Sequence, residues 1–192
     1  MAHFHANMGS VPLGTRDPVD RYETPSSVTE GLLRRIWLPP CVREPACGTG
    51  RIADILRFAG YQVLASDLLE HGHDFLKENG HYPRHCAVVT NPPYRDGLAE
   101  AFVRKALELY DGPVWMLLRS GFAWGQGRTR GLHSERPPQQ IIVVPCRIMF
   151  YNADGTRIKG QAYDHAWFGW NVEPRPLQWI DPEELYDATT RS

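Results

Sequence analysis

Two apolar runs, Cys86–Thr90 (CAVVT) and Val114–Leu118 (VWMLL), contain no polar alternation. Successive side chains of a strand point to opposite faces, so a strand with one wet face alternates apolar with polar residues. A strand without alternation is covered on both faces, the mark of a parallel sheet sandwiched between helices. The rest of the first two thirds supplies those helices. After Pro39-Pro40 comes CVREPACGTGRIADILRFAG, which reads as strand, Gly-rich turn and helix. Ile52, Ile55, Leu56 and Ala59 form the helix face, and Gly60 suits its end. YQVLASD follows as a second strand ending at Asp67. A further helix is expected from an Asp96 cap through Tyr110, with Leu98, Phe102, Ala106 and Leu107 turned inward. This alternation predicts an α/β chain with a mostly parallel sheet and helices on both faces.

The alternation then stops. Residues 141–150 (IIVVPCRIMF) and 161–170 (QAYDHAWFGW) flank a turn-rich connection with Asp154-Gly155, which predicts a C-terminal hairpin whose strand joins the sheet antiparallel. Between the two parts, residues 119–138, rich in Gly and Arg, read as a mobile loop. Near the N-terminus Ser26 or Ser27 is expected to cap a helix, with Glu30 completing a capping box and Val28, Leu32, Leu33 and Ile36 forming its stripe. Residues 1–18 read as a loose arm, 19–180 as a single domain and 181–192 as an acidic tail. At 192 residues, 42% hydrophobic with six Trp, the chain has enough apolar surface for one packed core.

A net charge of −1 argues against a global field for nucleic acid, but the distribution is uneven. Residues 119–159 hold seven Lys/Arg against Glu135 and Asp154, whereas 160–192 hold two Arg against six acids. Cys41, Cys47, Cys86 and Cys146 lack C-x-x-C spacing and read as reduced thiols of a cytoplasmic protein. The pairs His3/His5, His71/His73 and His81/His85 read as surface histidines, Pro83 spoiling the last as a helical pair, so no metal is expected. No apolar run approaches a membrane span, and no signal-peptide core opens the chain.

Two motifs carry chemistry. In Glu44-Pro-Ala-Cys-Gly-Thr-Gly50 the glycines let backbone approach a ligand closely and point amides into a crevice, and the helix N-terminus adds positive potential. Asp67, 17 residues after Gly50 at the end of the next strand, can accept both hydroxyls of a ribose. Only G-x-G is present, without a third glycine or a phosphate-binding Lys. The turn therefore suits a nucleoside lacking a pyrophosphate, of which S-adenosylmethionine is the common case, or it is a tight turn that merely starts a helix.

The second motif is Asn91-Pro92-Pro93-Tyr94. Parallel strands place their ligand crevice outside their carboxyl ends, where the apolar run of residues 86–90 delivers it. The prolines, with fixed φ and no N–H, make a stiff bend with free carbonyls. The Asn91 side-chain oxygen and the Pro92 carbonyl can each accept one N–H of an exocyclic amino group, aiming the nitrogen lone pair at an electrophile, while Tyr94 stacks on a planar base. A strand-terminating turn explains the prolines, but not Asn91 and Tyr94 beside them.

With both motifs in this order, the chain resembles the class I, S-adenosylmethionine-dependent methyltransferases that act on amino groups, especially the DNA adenine-N6 type, over roughly residues 22–170. The resemblance implies a Rossmann-like fold. RYETPSSVTEGLL is similar to that family's N-terminal motif, which implies cofactor contacts from Tyr22, Thr24 and Pro25. It also implies contacts from Glu44, Pro45, Ala46, Cys47, Gly48 and Gly50, from Asp67 and Leu68 on the ribose side, and from Asp74 and Phe75 at the adenine. Leu98 and Phe102 cover that adenine's far side. Asn91, Pro92, Pro93 and Tyr94 are implied as the catalytic set, Asn91 also meeting the cofactor.

The implied reaction is in-line methyl transfer to adenine N6 in DNA, on a single strand or a base flipped from the duplex. Substrate contacts are expected from Tyr94, Arg119, Trp124, Arg128 and Arg130, since charge with interleaved rings suits nucleic acid, although a solvated loop has the same composition. Phe150 either faces the base or is core. Only six residues separate Asp67 from Asp74, so the sheet edge beyond the second strand is expected to be truncated. The stretch after Trp170 is too short for a separate recognition domain, so selectivity is expected to rest on short loops, a second copy or a separate partner. The same motif serves cytosine-N4 transfer, where Ser in place of Asn91 is commoner. It also serves RNA adenine and protein glutamine, the last normally with a preceding helical domain where this chain has about 40 residues. A non-catalytic partner subunit is the non-enzyme alternative, but such a chain is expected to carry damaged motifs.

Overall fold

In the computed structural model, residues 23–82, 85–151, 156 and 163–187 are described; the N-terminal arm, Tyr22, His3/His5, Pro83 and the Asp154-Gly155 turn lie outside them. The two unbroken apolar runs become adjacent central strands, β3 (Cys86–Thr90) and β4 (Val114–Arg119), paired parallel with Val88 opposite Val114. The other strands are β1 (Cys41–Glu44), β2 (Gln62–Ala65), β5 (Gln140–Arg147), β6 (Asp164–Trp170) and β7 (Gln178–Trp179). Their order is β2-β1-β3-β4-β6-β5-β7. β6 runs antiparallel to both its neighbours, and the remaining pairings are parallel.

Side-chain alternation sorts the core into two layers. Val89, Trp115, Leu117 and Trp167 face α1 (Ser26–Leu33) and α2 (Arg51–Phe58) through Val28, Leu32, Ile52 and Leu56. Val88, Val114, Met116, Leu118 and Phe168 face α4 (Leu98–Leu109) through Phe102, Val103 and Ala106. Helices therefore cover both faces, as the unbroken apolar strands require. Between β6 and β4, Gly169 sits opposite Trp115, and the indole fills the space that a Cβ would need.

The edge beyond β2 is short, as expected. Between β2 and β3 there are only α3 (Leu68–His71) and a 3₁₀ turn, Phe75–Lys77, so β2 is the edge strand with Leu64 exposed. In place of further strands, Arg43 reaches from β1 to the Leu64 carbonyl, the Ser66 hydroxyl and the Glu78 carboxylate. That buried pair is affordable because the guanidinium is hydrogen-bonded from three sides.

Three local expectations are corrected. Neither serine caps α1; the Asp187 carboxylate accepts from the backbone N–H groups of Ser26 (2.8 Å) and Ser27 (3.1 Å) and from the Ser27 hydroxyl. Glu30 instead receives Arg34 and Tyr186. The capping box lies at Asp181 and Glu184, in a segment whose Leu185 is buried. Asp96 does not cap α4: it adopts a positive φ in a 3₁₀ turn, and Gly97 takes the N-cap position. Residues 120–135 form a 3₁₀ turn (Ser120–Ala123), α5 (Gln126–Arg130) and α6 (Leu132–Glu135), anchored by buried Phe122 and Leu132. β7 was not foreseen; two residues are too short for any periodicity.

Candidate active site

A cavity of about 280 Å³ opens where β1, β2 and β3 end, at the lower limit of ligand pockets (about 300–1,000 Å³). Thr24, Glu44, Pro45, Ala46, Cys47 and Gly48 line one side. Asp67, Leu68, Asp74 and Phe75 line another, and Asn91, Pro92, Pro93, Tyr94, Leu98 and Phe102 a third. Sixteen of the expected positions thus converge on one space. Pro25 and Gly50 do not line it: Pro25 precedes α1, and Gly50 takes the left-handed conformation (φ 101°) that starts α2.

The Gly turn differs from expectation in where its amides point. Gly48 N–H donates to Asp67 Oδ2 at 3.1 Å, and Thr49 N–H donates to Glu23 Oε1 at 3.0 Å. Two carboxylates flank the turn and take the amides that would otherwise face the crevice. Asp67 also accepts from Leu69 N–H, and Asp74 from Leu76 N–H, which locks both acids at the starts of short helical turns.

Asn91 is held from below. Its Nδ2 donates to Thr24 Oγ1 at 3.1 Å, which turns Oδ1 outward as an acceptor. Tyr94 donates its hydroxyl to that Oδ1 and also approaches the Leu117 carbonyl at 3.0 Å. Leu117 lies past the last β3–β4 pair, Thr90 with Met116, so the phenol fills the gap where β3 ends.

The cavity's titratable lining is mainly acidic: Glu23, Glu44, Asp67 and Asp74 against Arg51 and His73. Burial pushes the Glu44 carboxyl well above its ordinary range; the Ala53 N–H opposes this shift and the nearby Glu23 charge reinforces it. Burial likewise pushes the Cys47 thiol up to about 12, so it is an inert wall rather than a nucleophile. Among the described residues no group of three or more metal-ligating side chains occurs, and no helix is long and apolar enough to cross a membrane.

No protein-family model and no curated protein matches the chain. Solved structures do. One, described as an RNA methyltransferase from Pyrococcus horikoshii, is 18% identical, with 83% of this chain on 92% of that one and a TM-score of 0.55. A type I restriction-modification methyltransferase subunit from Streptococcus thermophilus is 15% identical, with 91% of this chain on 50% of that one and a TM-score of 0.55. A protein described as a modification subunit of a type I restriction enzyme from Vibrio vulnificus gives 16%, 82%, 46% and 0.54. The chain spans about half the length of the last two. The shared feature is a Rossmann-like fold.

Within this fold the expected substrate residues divide. Arg119 lies beside the cavity, its guanidinium carbon 5.0 Å from the Tyr94 ring centre and 3.9 Å from that of Tyr163. Phe150 is buried in the core and meets the His165 ring at 5.1 Å. Trp124 and Arg130 are exposed and do not line the cavity. Arg128 turns back onto its own loop, donating to the carbonyls of Gly121, Phe122 and Trp124 and stacking over Phe122.

Sequence reasoning missed Glu23, Arg51, His73 and His165. Glu23 sits inside the motif that drew attention to Thr24 and Pro25, which is a usable signal. His165 has none, because its neighbours Tyr94 and Phe150 come from distant parts of the chain.

Proposed function

We propose that the chain transfers a methyl group from S-adenosylmethionine to the exocyclic amino group of adenine (N6) in DNA. The observation that carries this reading is the convergence on one cavity of the Glu44–Gly48 turn, Asp67 and an Asn91 side chain presenting Oδ1 as an acceptor. The donor set fits the cofactor. Four carboxyls against one Arg disfavour a phosphorylated nucleotide and suit a nucleoside with a diol and positive charge. Bound there, S-adenosylmethionine supplies an electrophilic methyl group.

Asn91 Oδ1 and the Pro92 carbonyl accept the two N–H groups of the target amine and stabilise the positive charge developing on nitrogen. Thr24 positions Asn91 by fixing which way its amide faces. The Tyr94 hydroxyl stands where the incoming amine would donate, so the amine takes over that hydrogen bond as the ring moves to stack on the base. Leu98 and Phe102 hold the cofactor's adenine, and Arg119, stacked on Tyr94, supplies positive charge next to the target. DNA is thus the proposed partner, reached as a single strand or by base flipping. Adenine in RNA is the second reading, favoured by the similar fold described as an RNA methyltransferase that this chain matches over 92% of its length.

The test is methyl transfer from labelled cofactor to mixed DNA and RNA, with nucleoside mass spectrometry of the products. N6-methyldeoxyadenosine from DNA is expected, and Asn91→Ala should lower the rate by on the order of 10²–10³-fold. A labelled RNA nucleoside or methylcytosine would move the substrate, and no product despite cofactor binding would remove the nucleic-acid reading.

A further inference from the structure

Glu23 is 5% exposed, and its carboxylate is fixed against the Gly turn. Its backbone N–H donates to the Tyr151 carbonyl at 3.0 Å. Its Oε1 accepts Thr49 N–H, and it lies only 2.8 Å from where a Cβ on residue 48 would be. Gly48 is therefore glycine for two reasons: a φ of +53° and the carboxylate pressed against it. On the same cavity wall Glu44 is 1% exposed, and its Oε2 has no hydrogen-bond partner among the described residues. Two carboxyls sharing a poorly hydrated space oppose each other's ionisation, and a cation between or beside them relieves both.

We propose that Glu23, with Glu44, makes this cavity select for positive charge, so that the sulfonium form of the cofactor binds more tightly than the neutral thioether left after methyl transfer. Breaking the sulfur–methyl bond leaves its electron pair on sulfur and removes the positive charge there. The attacking amine forms the new carbon–nitrogen bond and gives a proton to solvent. The floor that holds the reactant form then has less hold on the spent one, which favours exchange. This inference rests on the cofactor reading above.

The experiment is titration calorimetry of S-adenosylmethionine and S-adenosylhomocysteine against the wild type and Glu23→Gln. Glutamine keeps an oxygen for Thr49 N–H but removes the charge. The wild type should prefer the sulfonium, and Glu23→Gln should shrink that preference by about tenfold, with thioether affinity held within twofold. An unchanged ratio, or an equal loss for both ligands, would overturn charge selection. A second measurement needs no variant: an analogue carrying an ammonium in place of the sulfonium should bind like the sulfonium. Its grouping with the thioether would overturn the proposal. Failure of the wild type to bind any of the three removes the cofactor reading itself, a different result from binding without discrimination.

Discussion

His165 should make this protein sensitive to mild acid. It is 1% exposed on β6, opposite Arg119 across the β4–β6 pair, and packed between the Tyr94 and Phe150 rings. Its Nδ1 lies 2.8 Å from the Tyr163 carbonyl, the arrangement of a neutral imidazole donating from Nδ1, and Nε2 has no partner among the described residues. Burial lowers its pKa to about 4; the Tyr163 carbonyl resists this and the Arg119 charge assists it. The unfolded chain holds a proton on this ring up to about pH 6.5. Between those values the unfolded state binds more protons, so stability is complete above pH 6.5 and is lost as pH falls toward 4. The full gap is worth about 3 kcal/mol, a large part of a typical domain's 5–15 kcal/mol. Urea denaturation at pH 7 and 4.5 measures it. His165→Asn keeps a donor for Tyr163 but does not titrate, so the wild type should lose about 2 kcal/mol more than the variant over that interval. Glu44 acts in the opposite sense, since its raised pKa favours the folded state at acid pH, but it is common to both proteins and cancels in the comparison. Parallel losses in the two proteins would refute the reasoning.

Gly48→Ala should both strain the turn, by about 1–2 kcal/mol for a side chain in the left-handed region, and displace Glu23; calorimetry should show cofactor affinity falling further than the melting temperature suggests. Gly169→Ala places a Cβ 2.7 Å from the Trp115 ring in the middle of the sheet, and urea denaturation should show a loss of at least about 1–3 kcal/mol. Asp187→Ala leaves the first amides of α1 without their acceptor, which should lower stability by about 0.5–2 kcal/mol in the same assay.

What could be read in the sequence is what depends on residues close together in the chain. Unbroken apolar strands specify burial on both faces, and the six residues between Asp67 and Asp74 leave no room for another strand. Both readings hold in the structure. The caps show the opposite case. A serine followed three residues later by a glutamate satisfies the local rule at Ser27, yet the acceptor comes from Asp187, 160 residues away in the chain. An acid brought in by tertiary contact displaces a hydroxyl because a charged acceptor binds amides more strongly. The Arg-rich stretch misled in the same way: Arg128 looks free in sequence but is consumed by three carbonyls that its own loop exposes.

The site follows the same division, and the way it does so bears on how it would work. The motifs name the groups that gather at the cavity, but not how they are paired. The Gly48 and Thr49 amides are held by Asp67 and Glu23, the Asn91 amide by Thr24, and the Asn91 oxygen by Tyr94. A buried polar group without a partner costs about 1–3 kcal/mol, so a site of this kind must satisfy itself before a ligand arrives. For the Asn91 oxygen, binding the amine of the proposed substrate would then exchange one hydrogen bond for another, with the cost falling on moving Tyr94. Glu44, a residue of the cavity wall, is the exception, with an oxygen that has no hydrogen-bond partner among the described residues. On the proposed function, a ligand that satisfies Glu44 gains where the others only break even, which would assign affinity to that wall and chemistry to Asn91.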